Sequence, residues 1–159
     1  MRNEKLYLSA LLFLGAIAAQ APARAQAESA MPNVIAETEG AGGVRLGTVA
    51  TSVKLLARAP LHKGSLVRLV LRGFSAAAAP GVIYRLYLDA PDGKADPSAF
   101  VGDINFYDVG PAPRTDRFVS FDVTARLAKT GGHTLLIVPL GAPAAAAAPR
   151  IQTVELVAE

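Results

Sequence analysis

Cysteine and tryptophan are absent from this 159-residue sequence, and histidine and methionine occur twice each. Without cysteine there is neither a disulfide nor a lipid-modified cysteine. Folded stability must then come from the core alone. Long apolar runs are also lacking. The longest, Leu6 to Ala19, falls short of the roughly 20 residues that span a bilayer comfortably. No large excess of one charge exists either. Of the 16 basic and 13 acidic side chains, Arg2, Lys5, Arg24 and Glu4 lie before Glu28, which leaves 13 basic and 12 acidic, about +1. A near-neutral balance argues against nucleic acid as a partner, for which a basic domain with clustered positive charge is expected.

The N-terminus reads as an export signal. Arg2 and Lys5 form a charged region, an apolar run follows, and Pro22 precedes two small-residue cleavage patterns ending at Ala25 and Ala27. The expected organisation is a signal peptide over 1–27, cleaved after Ala27 or alternatively Ala25, and a polar, glycine-containing lead-in over 28–43. A β-domain over 44–159 follows. No twin-arginine pair is present, so the general secretory route and a periplasmic or secreted destination are expected, with no membrane span once the signal is removed.

From Val44 onward, short apolar runs are punctuated by Gly, Pro and Asp. The pattern predicts about eight strands, at 44–50, 52–57, 65–73, 81–89, 100–107, 117–123, 133–139 and 150–157. Val67, Leu69 and Leu71 alternate with Arg68 and Arg72, as on a half-buried strand. The 82–88 run is apolar on both faces apart from Arg85, which predicts a central strand. Pro91-Asp92-Gly93 is a tight-turn signal and Gly110-Pro-Ala-Pro113 a rigid loop. A short helical turn is expected over 124–129, with Thr124 as N-cap and Gly131-Gly132 ending it. The alanine-rich stretches 76–79 and 144–148 are too short for independent helices and read as loops. The fold class is all-β, an antiparallel β-sandwich of the jelly-roll or immunoglobulin-like kind.

Charge is unevenly distributed. Seven cations and no acid occur over 44–88, whereas 89–122 holds seven aspartates against three cations. The two runs are expected to neutralise each other across adjacent strands; a bipolar docking surface is the alternative.

Catalytic signatures are sparse. No Gly-x-Ser-x-Gly elbow accompanies Ser52, Ser65, Ser75, Ser98 or Ser120. Gly40-Ala-Gly-Gly43 lacks the Lys-Ser/Thr ending of a phosphate loop. Asp89, Asp92 and Asp96 do not keep the spacing of a calcium loop and read as strand-end and turn residues. The aromatics Tyr84, Tyr87, Phe100, Phe106, Tyr107, Phe118 and Phe121 are expected mainly in the core. An exposed subset such as Tyr87 or Tyr107 would be free to stack on a sugar or dock a partner.

Three blocks carry a further signal: Tyr84-Arg-Leu-Tyr-Leu-Asp-Ala-Pro-Asp-Gly93, Phe100-Val-Gly-Asp-Ile-Asn-Phe-Tyr107 and Phe121-Asp-Val-Thr124. In that order and spacing they resemble the C-terminal domain of the tyrosinase and polyphenol oxidase family. Thr134-Leu-Leu-Ile-Val-Pro139 and Ile151-Gln-Thr-Val-Glu-Leu156 are similar to its late strands. The resemblance implies a β-sandwich that covers the mouth of a dinuclear copper site, keeps the enzyme latent and assists folding or copper loading. That copper centre takes three histidines per metal. His62 and His133 are too few to build it, so the expectation is a non-enzyme without catalytic, cofactor-binding or metal-binding residues. No local motif marks a residue that would occupy the oxidase entrance, and no partner-binding residue is assigned. The expected role is an exported accessory module that shields or assists a tyrosinase-type oxidase in trans. The alternative is a free-standing periplasmic sandwich that binds a glycan or envelope component.

Overall fold

The computed structural model describes residues 33–39, 42–127 and 132–159. The expected signal peptide, residues 28–32 and 40–41 of the lead-in and the end of the expected 124–129 turn lie outside these residues. Nine strands are described: β1 (Asn33–Thr38), β2 (Val44–Arg45), β3 (Thr51–Ala57), β4 (Val67–Ser75), β5 (Ile83–Leu88), β6 (Phe100–Ile104), β7 (Arg114–Asp122), β8 (His133–Leu140) and β9 (Arg150–Ala158). Their ladder runs β6-β5-β8-β3-β1-β9-β4-β7, with β2 added beside β9, and every pairing is antiparallel.

The all-β antiparallel expectation holds, and the described strands form one continuous sheet curled into a nearly closed barrel. The two ends of the ladder come together without hydrogen-bonding as a pair. There the ring of Phe121 on β7 lies against the backbone of Gly102 on β6, so closely that a Cβ at residue 102 would sit 2.3 Å from the ring. Only glycine lets the seam close this far.

The lead-in reading is corrected by β1. Asn33–Thr38 pairs with β3 on one side and β9 on the other, so it bridges the two halves of the sheet. Its polar ends hid it: only Val34, Ile35 and Ala36 are apolar, and Ile35 and Ala36 are the buried pair. The 44–50 strand shrinks to the two residues of β2. The 82–88 run, expected at the centre, lies next to the end of the ladder. Its second apolar face is covered instead by the 89–99 loop, whose Ala99 joins Tyr87 and Leu136 in a small buried cluster outside the barrel.

The main core fills the barrel. Leu69, Leu71, Leu86, Leu135, Ile137, Ile151, Val154 and Leu156 are fully buried. Burying each such side chain contributes about 1.5–3 kcal/mol. At one end Phe106 makes edge-to-face contacts with Phe74 and Tyr84, with ring centroids 5.4 and 5.6 Å apart.

In place of one helical turn, the described residues hold four short 3-10 turns, at Pro91–Gly93, Pro97–Ala99, Thr124–Arg126 and Ala145–Ala147. The two alanine-rich loops join one another. Ala77 donates to the Ala147 carbonyl at 2.7 Å, and Ala144 to the Pro80 carbonyl at 3.0 Å.

Charge neutralisation follows a different route from the expected one. Arg85–Asp103 is the pair that joins the cation run to the aspartate run. Arg58, Arg68 and Arg72 turn instead to Glu37 on β1, Glu159 just after β9 and Glu155 on β9. All are surface pairs, worth at most about 1 kcal/mol each.

Candidate functional site

At the end of the barrel where β5 stops and β8 begins, the 89–99 loop and the 122–126 turn enclose a cleft of about 900 Å³. Its floor is apolar (Leu88, Pro91, Ala99, Ala125), and Asp89, Asp122 and Thr124 stand on its walls. Arg126 spans it, donating from its guanidinium to the Ser98 carbonyl at 2.7 Å.

Asp89 is held in a left-handed backbone conformation, φ 52°, which aspartate tolerates better than most residues. This places both carboxylate oxygens on β8. Oδ1 accepts from the Thr134 amide at 2.8 Å, and Oδ2 lies 2.6 Å from Nδ1 of the buried His133 ring. His133 is thus a structural tie between strand ends. His62 lies elsewhere, on the 58–66 connection, in a separate cleft of about 380 Å³ with Lys63, Ser65 and Leu127.

The other aspartates serve their own turns. Asp92 and Gly93 both take positive φ in a turn closed by Lys94 donating to the Pro91 carbonyl. Asp96 accepts from the amide and hydroxyl of Ser98. Those bonds hold its carboxyl below the usual carboxylate range. The N-cap position of the 124–126 turn falls on Val123 rather than Thr124, and no side chain caps it; Asp122, just before it, accepts from the Thr124 amide through Oδ1 at 2.9 Å, and that bond lowers its pKa. Thr124 is freed to accept from the Val67 amide at 2.8 Å, clamping the turn onto β4.

The chemistry open to this arrangement is narrow. Among the described residues no three His, Cys, Asp or Glu side chains gather as metal ligands. With one histidine tied to Asp89 and the other in a separate cleft, the donor set does not fit a dinuclear copper centre. Ser98, the serine in the larger cleft, has its hydroxyl on Asp96 rather than on a histidine. Of the two tyrosines singled out from the sequence, Tyr87 is buried and Tyr107 is 53% exposed. Tyr107 is pinned on both sides of its backbone, its amide donating to Asn105 Oδ1 and its carbonyl accepting from Arg117. Phe118, equally exposed and also named in the sequence, lies under the Arg72 guanidinium at 5.0 Å.

No family profile matches the chain, and no characterised protein matches it by sequence. Solved structures do match. Recombinantly expressed latent aurone synthase, a polyphenol oxidase, superposes with a TM-score of 0.51 at 12% identity over 74% of this chain. The same enzyme from its natural source gives 0.50 at 14% identity, again over 74%. The barrel shares its fold with part of that polyphenol oxidase. It spans about a quarter of those enzymes, 25% and 26% of their lengths. The resemblance read from the Tyr84, Phe100 and Phe121 blocks is therefore met in three dimensions. Those blocks build β5, β6 and the end of β7, the strands that form the seam and the large cleft.

Proposed function

We propose that this chain is a non-catalytic, exported accessory module that shields or assists a tyrosinase-type dinuclear copper oxidase in trans. The observation that carries the reading is the fold, which recurs as a quarter of latent polyphenol oxidase. The copper ligands would belong to another polypeptide, since His62 and His133 are the whole histidine complement here. The test is a pull-down from the native periplasm with tagged residues 28–159, with copper and diphenol oxidation measured in the eluate. A co-eluting copper oxidase whose activity or copper content changes on adding the protein supports the proposal. A copper-free eluate and no effect on such an oxidase overturn it.

The second reading, a free-standing periplasmic domain that binds a glycan or envelope component, draws support from Tyr107, exposed and held in one backbone position. It predicts saturable glycan binding that Tyr107→Ala abolishes, with no protein partner needed.

A further inference from the structure

At the opposite end of β4 and β9 from the Thr124 clamp, three side chains form one cross-strand row. Ser75 on β4 lies opposite Arg150 on β9, and Arg150 lies opposite Arg45 on β2. Directly opposed residues of antiparallel strands present their side chains on the same face. The row therefore sets two arginines directly opposite each other on one face, and like charges so opposed destabilise a sheet unless something negative lies near them.

Nothing negative does so among the described residues. Arg58, Arg68, Arg72, Arg85 and Arg114 each reach a carboxylate. Arg117 and Arg126 are occupied by the Tyr107 and Ser98 carbonyls. Arg45 has no such partner, and Arg150 spends one NH donor on the Gly42 carbonyl at 3.0 Å. That single bond orients its guanidinium and leaves most of its five donors free.

Beside the row is a cleft of about 340 Å³, walled by Pro111 and Pro113 and lined by Arg150, Ser75 and Gln152, with no acidic residue on its lining. Its volume lies at the lower end of the roughly 300–1,000 Å³ of small-ligand pockets. Gly73 shapes it: its φ of 68° and the Gln152 side chain packed on its Cα leave no room for a Cβ. Gln152 is thereby set next to the arginines.

We propose that this cleft binds the oxyanion of a small ligand, a phosphate or a carboxylate group. Arg150, on the lining, takes its charge in a forked hydrogen bond, Ser75 and Gln152 add neutral donors, and Arg45, its cross-strand neighbour outside the lining, adds positive charge at longer range. The site lies apart from the Asp89 cleft and does not depend on the oxidase reading.

The test is calorimetric titration of the protein with inorganic phosphate and, separately, malonate, each at ionic strength held constant with chloride. One-to-one saturable binding of either anion is expected, and which one binds distinguishes the two sources. Arg150→Gln should weaken it by about tenfold or more, and Arg45→Gln, which removes only the neighbouring charge, by a smaller factor that shrinks as ionic strength is raised. Because Arg45 is the unpartnered member, Arg45→Gln should leave the melting temperature of the anion-free protein unchanged or raised. Three results would overturn the proposal: no saturable binding of either anion, equal binding by the variants, or a lowered melting temperature of anion-free Arg45→Gln. The last would make the pair a structural element instead.

Discussion

Tyr84 and Gly102 show how far single residues set this barrel. The Tyr84 ring is buried between β5 and the Phe106 loop, and its hydroxyl is the one buried side-chain polar atom without a partner among the described residues. Burial raises its pKa because the phenolate cannot be solvated there. An unpaired buried hydroxyl contributes nothing that phenylalanine would lose. Tyr84→Phe should therefore leave stability to urea unchanged or raise it by up to about 1 kcal/mol. A loss beyond that would reveal a water or side chain bonded to the hydroxyl. Gly102 makes the opposite case. A Cβ there would enter the Phe121 ring, so Gly102→Ala should cost about 1–3 kcal/mol through overpacking at the seam. Denaturation midpoints of the two variants, measured side by side, check both outcomes.

At the scale of elements, the 122–126 turn carries a pH dependence with a definite sign. The Asp122 carboxyl is held below its ordinary value, chiefly by the Thr124 amide bond and in smaller part by Arg68 across the ladder. A carboxylate favoured in the folded state stabilises above its unfolded pKa, and that stabilisation disappears as pH falls through the lower folded value. The contribution should thus be complete at neutral pH and fade below about pH 4. Asp122→Ala should be less stable than the parent at pH 7, with the gap narrowing as the pH is taken below 4. Urea melts at the two pH values measure this, and a gap independent of pH would refute it. Thr124 illustrates why caps are misread from sequence. Either Asp122 or Thr124 suits the capping role chemically. Thr124 faces the Val67 amide only because β4 and β7 are neighbours.

For the whole molecule, the ladder order predicts which strands open first. β1 is bonded on both sides, as are β9 and β4, whereas β6 and β7 each have one bonded neighbour. Native-state hydrogen exchange should find Asn33–Thr38 protected to the level of β9. The outward amides of β6 and β7 should exchange soonest among the strands, since local opening follows the number of bonds that must break. Rapid exchange throughout Asn33–Thr38 would restore the lead-in reading of that segment.

Strand character, turn positions and the absence of a copper ligand set were legible from the chain alone. They depend on local chemistry: side-chain period, positive-φ residues such as Gly93, and a histidine count of two. What lay outside that reach depends on partners distant in sequence. β1 has too few apolar residues to announce itself and is a strand because β3 and β9 flank it. The seam exists because Phe121 finds a residue without a Cβ nineteen positions earlier, at Gly102. Asp89 ties to His133, and Arg45 is set against Arg150, across 44 and 105 residues respectively. Sequence thus determined where the strongly alternating segments extend and where they turn. Only the tertiary structure decided which edges meet, which aspartate ties two strand ends, and which arginines stand opposite each other, because burial and charge compensation are properties of juxtaposed strands.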